Sequence, residues 1–408
     1  MMTESHLRTS AFSFTSNNTK ALRMGDCGGE MAKHGTDELY DYGKLNVSRV
    51  NSQSAPSSVN DVIETILMCN QRQQGLRLRG SGHTFNGCSL PSQSEHLLRT
   101  HNLDWFKFEK VGTVDVGAGA MVWDVRDMIR DHGYEMPVYN GGWAGPTIGG
   151  YISAGGIGKG ELSSDQGGFW EHVERVTFVD MLGNLVTVDK DDAHFKWLFG
   201  SCGQLGVIVE ARLTLLPTNR LAERLYPIGA EGKVSKRQEH DPFENDNALT
   251  KGSNVLYWFS LFVAPEDEQL AWECLFDFYC RHKHELEPEG GWAGPMIENS
   301  DSLGYRYEVK FKTFNPPLVY PRNETFLVLG VMSRFSFDAI SSRSRIVEIE
   351  HSFNNMALKN GFYLYLQAEN ISNSIDRKTY FGEDKFNYFR KLKTQYDPRF
   401  SLNKAAFF

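Results

Sequence analysis

Three glycine-rich segments, each at the end of a predicted strand, constrain the fold of this chain more than any other feature. The first, residues 75–87, starts with leucines alternating with arginines, which predicts a short half-buried strand, and continues into small residues around His83. The second, 140–158, has eight glycines in nineteen residues, and the third spans 200–206. Small residues after a strand leave backbone N–H groups unpaired and let a bulky anionic ligand approach the main chain. The first segment therefore predicts a phosphate-binding loop that holds one imidazole.

These segments do not match the two common nucleotide-binding motifs. No GxGxxG opens a predicted helix with an acidic residue at the usual distance downstream, as a Rossmann fold requires, and no segment ends in the Gly-Lys-Ser/Thr of a P-loop. Glycine is costly in backbone entropy, so the density in 140–158 predicts main chain running close to a large ligand. The alternative is a set of tight turns in an ordinary α/β domain.

Length and composition predict a globular protein of two domains. A single core rarely grows beyond about 250–300 residues, and this chain has 408, of which 40% are hydrophobic. A net charge of −8, without a basic run, argues against nucleic acid and anionic membranes as partners. Six scattered cysteines form no CxxC pair, so neither a metal site nor a disulfide framework is expected. Because the first residues carry no signal segment and no apolar run could span a membrane, we expect a cytoplasmic protein.

Periodicity and turn residues predict the order of elements. Ser58 and Asp61 form a capping box ahead of apolar residues at helical spacing, and 182–184 is a predicted hairpin turn. Beyond Pro217, strands and helices alternate, which predicts one sheet with helices on one face. The other predicted elements are strands at 44–50, 113–116, 173–179, 185–188, 207–216, 255–263, 325–332 and 362–366, and helices at 123–129, 191–199, 266–282, 340–360 and 380–396.

Four segments resemble the vanillyl-alcohol-oxidase superfamily of FAD enzymes: Arg79–Gly87, Pro146–Gly150, Gly203–Ile208 and Tyr396–Pro398. The resemblance covers about 45–217 and the last 30 residues. It implies an α+β, two-domain PCMH-type FAD-binding fold with an α+β substrate domain, in which helices cover an antiparallel sheet. The implied division is a loosely ordered arm (1–43), an FAD-binding domain (44–217), a substrate-binding domain (218–370) and a C-terminal segment that returns to the FAD-binding domain (371–408).

The resemblance also implies which residues contact FAD. His83 matches the histidine that, in many members, bonds covalently to the flavin 8-methyl carbon, and the alternative is a histidine that lies beside the cofactor without a bond. The implied FAD contacts are Arg79, Gly80, Ser81, Gly82, His83, Thr84, Asn86, Gly87, Pro146, Thr147, Gly149, Gly150, Ser153, Gly156, Gly158, Gly206, Val207 and Ile208.

Two positions depart from the pattern of particular members. Some members attach the flavin a second time through a cysteine just before Pro146, but Gly145 stands there, so double attachment is not expected, and Cys88 is expected in the core or near the surface. Cytokinin dehydrogenases carry a catalytic Asp a few residues before Thr147, whereas residues 139–143 hold no carboxylate. Amine oxidation that uses that base is therefore in doubt.

The predicted catalytic residues lie on the strand that follows residue 361. Alditol and decaprenylphosphoryl-ribose oxidases, which resemble this region in part, place a basic residue or a Glu on a substrate-domain strand facing the flavin. Gln367 and Glu369 alternate with the same parity as Tyr363, so one strand face could carry a hydroxyl, an amide and a carboxylate. The alternative is a solvated strand end. His172 and Lys159 are weaker candidates.

The resemblance implies an FAD-dependent oxidase or dehydrogenase. A CH–OH or CH–NH carbon of a small molecule would lose hydride to the flavin N5 while a side chain takes the proton. O₂ or another acceptor would then reoxidise the flavin. Substrates could be a polyol or sugar alcohol, or an amine of secondary metabolism. A flavin-binding protein without oxidase catalysis is the alternative from another class, and the oligomeric state stays open.

Overall fold

The structure is a computed structural model. The residues that it describes are 38–140, 145–159, 166–218, 229–234, 255–288, 305–310, 314–322, 325–335, 343–366 and 376–403. Residues 1–37, most of the predicted N-terminal arm, are outside that part of the chain. Residues 38–43, which the sequence also assigns to the arm, instead form a strand and a turn that pack beside His83.

The described helices are α1 (Val59–Gln71), α2 (Val122–Asp131), α3 (Ile148–Ala154), α4 (Glu268–His282), α5 (Arg343–Lys359), α6 (Arg377–Phe381) and α7 (Glu383–Tyr396). In the described part of the chain, no helix has the length and apolar character that crossing a bilayer requires.

The described strands are β1 (Glu38–Tyr40), β2 (Val47–Arg49), β3 (Gln53–Ser54), β4 (Gly75–Arg79), β5 (Glu95–Arg99), β6 (Trp105–Lys107), β7 (Thr113–Gly117), β8 (Tyr134–Glu135), β9 (Ile157–Lys159), β10 (Gln166–Gly168), β11 (Val173–Val179), β12 (Leu185–Asp189), β13 (Val207–Thr214), β14 (Leu216–Pro217), β15 (Glu231–Lys233), β16 (Val255–Val263), β17 (Leu286–Pro288), β18 (Tyr305–Val309), β19 (Phe326–Phe335) and β20 (Tyr363–Leu364).

A parallel sheet, ordered β3–β5–β4, packs against α1. The helix starts at the predicted capping box, which is confirmed: Asp61 N donates to Ser58 Oγ at 3.2 Å, and Ser58 N donates to Asp61 Oδ2 at 3.0 Å. Val62 and Ile66 of α1 are fully buried against this sheet.

Strand β4 is buried on both faces, so the prediction of a half-buried strand is wrong. Arg77 is 6% exposed because its guanidinium pairs with the buried Glu95 at 2.9 Å. Arg79 is 1% exposed and donates to Ser89 Oγ at 3.2 Å and to Tyr40 O at 2.8 Å. The alternating arginines do not mark a solvent-exposed face of the strand here, since both guanidinium groups have protein partners.

A six-stranded antiparallel sheet, ordered β12–β11–β13–β7–β6–β15, lies next in the chain. The predicted hairpin of β11 and β12 is confirmed, with Gly183 at a φ of +86° in the turn. The helix predicted at 191–199 is only a 3-10 turn, Phe195–Trp197. Its hydrogen bonds run between residues three apart, such as Phe195 N to Asp192 O, and they do not extend into an α-helix.

The third large sheet, built from β16–β20, is antiparallel, and β19 lies between β16 on one side and β17 and β18 on the other. Its strand β20 is shorter than the predicted 362–366. Phe259 contacts Phe278 of α4 and Phe353 of α5, with both ring centroids at 5.1 Å, so the helices cover one face. The ring centroid of Trp258, of opposite parity, lies 6.3 Å from that of Phe85, and that of Tyr257 lies 6.5 Å from it, so this end of the sheet, with the face that carries Trp258, borders the first glycine-rich segment.

The C-terminal helix predicted at 380–396 is two helices, because Gly382, at a φ of +85°, separates α6 from α7. After α7 the chain reaches the free edge of β4. Leu76 N donates to Ser401 O at 2.9 Å and Asn403 N donates to Leu76 O at 2.8 Å. Strand β4, which ends at the His83 loop, is therefore held by hydrogen bonds on both edges.

A buried ion pair fixes this return. Lys393 Nζ lies 2.8 Å from Asp397 Oδ2 and donates to Leu402 O at 2.9 Å and Gln204 O at 2.7 Å. The Asp397 carboxylate also accepts from the backbone N–H groups of Ser401 and Leu402. Burial lowers the pKa of Lys393, while the Asp397 charge opposes that shift. The Tyr396–Pro398 motif thus builds the turn that brings the chain back to β4.

Candidate functional site

A cleft of about 770 Å³, a volume that includes space open to solvent, lies where the end of β4, the start of α3 and the turn before β13 meet. Its lining residues come from all three glycine-rich segments and from the chain end: Leu78, Gly80, Ser81, Gly82, His83, Thr84, Cys88, Ser89, Thr100, Ala118, Pro146, Thr147, Gly149, Gly150, Ser153, Ala154, Cys202, Gly203, Val207, Ile208 and Asn403.

The loop after β4 forms the first wall, and two of its glycines are required by packing. A Cβ on Gly80 would overlap the hydroxyl of Thr147. Gly82 has a φ of +71°, and a Cβ there would overlap the guanidinium of Arg79 beneath it. A larger side chain at Gly80 would push the first segment away from the second.

Three successive backbone N–H groups of this loop have no acceptor among the residues that the structure describes. Within the part of the chain that the structure describes, the backbone N–H groups of Gly80, Ser81 and Gly82 have no protein acceptor. The Ser81 hydroxyl donates to Gly145 O at 3.1 Å, and Thr84 N donates to Gly82 O at 2.8 Å. Successive free N–H groups in a turn are a typical anion-binding arrangement.

The second wall is the start of α3, where the N–H groups are already used. Gly150 N donates to Thr147 Oγ1 at 3.2 Å, and Ile148 N and Gly149 N donate to the carbonyls of Ala120 and Ala118, both at 2.8 Å. This segment therefore contributes shape to the cavity rather than free donors.

The third wall joins the turn before β13 to the chain end. Asn403 Oδ1 accepts from Leu78 N at 2.9 Å, and its Nδ2 donates to Cys202 O at 2.8 Å. Cys202 has a φ of +50°, and its N–H donates to Ser153 O at 2.8 Å. One amide side chain thus connects the end of β4 to this turn.

His83 lies in the cavity wall with its ring centroid 4.2 Å from that of Tyr42. Burial lowers the pKa of His83 to about 4, so the imidazole is neutral near pH 7. A neutral imidazole can act as a nucleophile, whereas a protonated one cannot.

Asp41 holds the far end of the His83 loop. Its carboxylate accepts from Asn46 Nδ2 at 2.6 Å and from Gly87 N at 3.1 Å. Burial raises the pKa of Asp41 to about 7, although these bonds and the nearby Arg79 oppose the shift. Next to it, Asn86 Nδ2 donates to Leu366 O at 2.6 Å, which ties the loop to the segment after β20.

Most of the predicted FAD contacts line the cleft, but six do not. Arg79 lies under the loop. Asn86 donates to Leu366 O, and Gly87 N donates to the Asp41 carboxylate. At the remaining three, protein atoms occupy the place of a Cβ: the Tyr151 ring at Gly156, Tyr139 O at Gly158 and the Phe178 ring at Gly206. Some of these glycines therefore allow close packing between segments of the protein and not the approach of a ligand, which the sequence analysis did not predict.

Residues that line the cleft without having been predicted are Leu78, Cys88, Ser89, Thr100, Ala118, Ala154, Cys202, Gly203 and Asn403. Four lie inside the segments singled out in the sequence, namely Leu78, Ala154, Cys202 and Gly203, and their place in a glycine-rich segment was a usable signal. Asn403 carried no sequence signal, since it meets Leu78 from 325 positions away.

The predicted catalytic residues are only partly described. Gln367 and Glu369 are outside the described residues. Tyr363 is not in the cleft lining: its ring centroid lies 5.2 Å from that of Tyr320 and 5.3 Å from that of Tyr380. His172 is the last residue of the 3-10 turn Phe169–His172 and does not line the cleft. The side chain of Lys159 is not described.

Comparisons with known proteins bear on the part of the chain that holds this cleft. Residues 54–189 match the protein family described as "FAD binding domain". The chain is also similar to reticuline oxidase of Papaver somniferum, with 26% identity over 182 residues, or 43% of this chain. The match spans about one third (33%) of that protein's length. The two similarities support a PCMH-type FAD-binding domain in this part of the chain.

Proposed function

We propose that this protein is an FAD-dependent oxidase or dehydrogenase that acts on a CH–OH or CH–NH carbon of a small molecule. The observation that carries the proposal is the cleft that gathers the three glycine-rich segments around His83. The similarity to an enzyme named as an oxidase agrees with it.

The residues of the cleft fit FAD. The N–H groups of Gly80, Ser81 and Gly82, which have no acceptor among the described residues, suit a pyrophosphate, and the Arg79 guanidinium beneath them adds favourable positive charge. The glycines and small side chains of α3 leave room for a flat ring system. Among the lining residues that the structure describes there is no carboxylate that would repel the phosphates.

FAD, when bound, supplies a two-electron acceptor for hydride. We propose that His83 attaches it covalently, because burial keeps this imidazole in the neutral, nucleophilic form. The other proposed contacts are the residues assigned to FAD above, most of which line the cleft, among them Thr147, Val207 and Ile208.

The substrate side would be the sheet face of residues 218–370 that is turned toward the His83 loop. Trp258 and Phe262 contact Tyr365 there, with ring centroids at 5.4 and 5.3 Å. Burial raises the pKa of Tyr365, so its phenol stays protonated. We propose Glu369 as the base, with Gln367 and Tyr363 orienting the substrate, and a general base is typically worth about 10²–10⁴-fold in rate.

Anaerobic bleaching of bound flavin tests the activity. The purified protein is mixed in turn with polyols, sugars, sugar alcohols and amines, and the visible flavin absorbance is followed without oxygen. Bleaching by one class, followed by recovery in air, identifies the substrate class and O₂ as an acceptor. A flavin that stays oxidised with every compound would favour a flavin-binding protein without catalysis.

Flavin content of two glycine variants tests the site. Gly80→Ala places a methyl on the Thr147 hydroxyl, so we expect at least a tenfold loss of bound FAD per chain. Gly167→Ala is the matched control, because its added Cβ would meet nothing within 4 Å. Full flavin content in Gly80→Ala would contradict the placement of FAD in this cleft.

A further inference from the structure

We propose that Tyr42 is a positioning residue for His83, and that its ring fixes the imidazole in the orientation used for attachment of FAD. The inference rests on the proposed function, because it concerns the imidazole that would carry the cofactor. Tyr42 lies in the segment that the sequence assigned to a loosely ordered arm, so its place beside His83 is known only from the structure.

The first support is the direct contact between the two rings. The ring centroids of Tyr42 and His83 lie 4.2 Å apart, with the ring planes at 51° to each other. The Tyr42 ring also packs edge-on against Phe85, with centroids 5.4 Å apart, and Phe85 is a fully packed core residue. Because the core contact holds the Tyr42 ring, that ring in turn restricts rotation of the imidazole.

The second support is that the backbone around Tyr42 is bound to the His83 loop itself. Tyr42 N donates to the carbonyl oxygen of Thr84, the residue after His83, at 2.9 Å. On the other side of His83, Arg79 Nη2 donates to Tyr40 O at 2.8 Å. The segment that carries the tyrosine is therefore attached to the loop both before and after the histidine.

A turn over residues 41–46 keeps this segment in place. The Asp41 carboxylate accepts from Asn46 Nδ2 at 2.6 Å within the turn and from Gly87 N at 3.1 Å in the loop. Asn46 Nδ2 also donates to Phe85 O at 3.0 Å. The turn is thus closed on itself and hydrogen-bonded to the loop beyond His83, which leaves Tyr42 little freedom to move relative to the imidazole.

The His83 loop supplies little packing for its own imidazole. The three residues before it are Gly80, Ser81 and Gly82, and glycine permits many backbone conformations. Bond formation needs reacting atoms held about 3–3.5 Å apart and aligned. Overall, one methyl C–H and one imidazole N–H bond break, a C–N bond forms, and the two protons and two electrons pass through the flavin to O₂, which becomes hydrogen peroxide. An orienting contact from outside the loop meets this need.

The rate of covalent attachment tests the inference. The full chain, prepared free of flavin from riboflavin-starved cells, is mixed with FAD, and total bound flavin and acid-stable flavin are followed separately. Tyr42→Leu should form acid-stable flavin about tenfold or more slowly at unchanged total flavin, because misplacement by about 1 Å can cost on the order of 10²-fold. Tyr42→Phe, which keeps the ring, should match the wild type.

Tyr279→Leu is the matched control, because Tyr279 is also a half-buried tyrosine packed on the core but lies on α4. It should attach FAD at the wild-type rate. A Tyr42→Leu protein that does the same, or that loses total and acid-stable flavin in equal proportion, would overturn the inference. A wild type without acid-stable flavin would contradict the proposed attachment instead, and the ring signals of the flavin-free protein then decide whether Tyr42 orients His83.

Those signals are measured by NMR without any flavin. The ring resonances of His83, identified by their loss in His83→Ala, should show a nuclear Overhauser effect to the Tyr42 ring and should shift in Tyr42→Leu but not in Tyr279→Leu. Resonances that stay in place in Tyr42→Leu would overturn the inference whether or not FAD binds. If Tyr42→Leu does not fold, the Overhauser effect in the wild type decides, and its absence would overturn the inference.

Discussion

At the scale of single residues, the cleft depends on a few buried polar side chains whose partners come from distant parts of the chain. Asp41 is the clearest case, because it accepts hydrogen bonds from Asn46 and Gly87 while being 1% exposed. Burial disfavours the charged form of this carboxyl. The free energy of unfolding should therefore depend on its protonation state, and this dependence can be measured by varying the pH.

Stability should therefore fall as pH rises through the titration of Asp41. Its pKa is raised from 3.8 to about 7, so its favourable contribution is fully present below about pH 4 and is lost as pH rises through 7. The slope reaches at most about 1.4 kcal/mol per pH unit. Urea unfolding from pH 4 to 8 should show this fall for the wild type relative to Asp41→Asn. Parallel curves for the two proteins would show that Asp41 does not titrate there.

At the scale of elements, the end of the chain completes the sheet that carries the His83 loop. Residues 401–403 pair with the free edge of β4, and the Lys393–Asp397 ion pair fixes the turn that leads there. Strand β4 would otherwise expose an open edge beside the cleft.

Asn403→Ala should weaken both the fold and flavin retention. The change removes the acceptor for Leu78 N and the donor to Cys202 O, and leaving buried backbone groups unsatisfied costs about 1–3 kcal/mol. Thermal or urea unfolding, with bound flavin measured in parallel, checks it. Asn51→Ala, an exposed loop variant, should stay within about 0.5 kcal/mol of wild type. Equal stability of the two variants would refute the role given to Asn403.

Elements with a capping or turn signal in neighbouring residues could be predicted from the sequence, whereas the points at which a helix stops or changes type could not. The capping box at Ser58 and the hairpin at Gly183 depend on neighbouring residues, and both predictions are confirmed. The 3-10 turn at Phe195–Trp197 and the break at Gly382 were missed, because helical spacing alone does not report where the backbone leaves the α conformation.

At the scale of the whole molecule, the sequence predicted most of the cleft lining but not how its glycines are used. Loop residues 80–84 and the α3 segment were found because glycines, a histidine and their order form a pattern. Gly156, Gly158 and Gly206 serve packing against Tyr151, Tyr139 and Phe178, which only the folded chain brings together. The FAD contacts, the covalent bond and the catalytic roles stay predictions.

The absorbance of acid-precipitated protein tests the central claim, that FAD binds in this cleft and is bonded to His83. We predict that the purified protein is yellow, that the colour stays with the precipitate, and that His83→Ala releases it to the supernatant or lacks it. Colour released from the wild type would leave a flavin protein in which His83 makes only a contact. A wild-type protein that is colourless and takes up no added FAD would contradict the account as a whole.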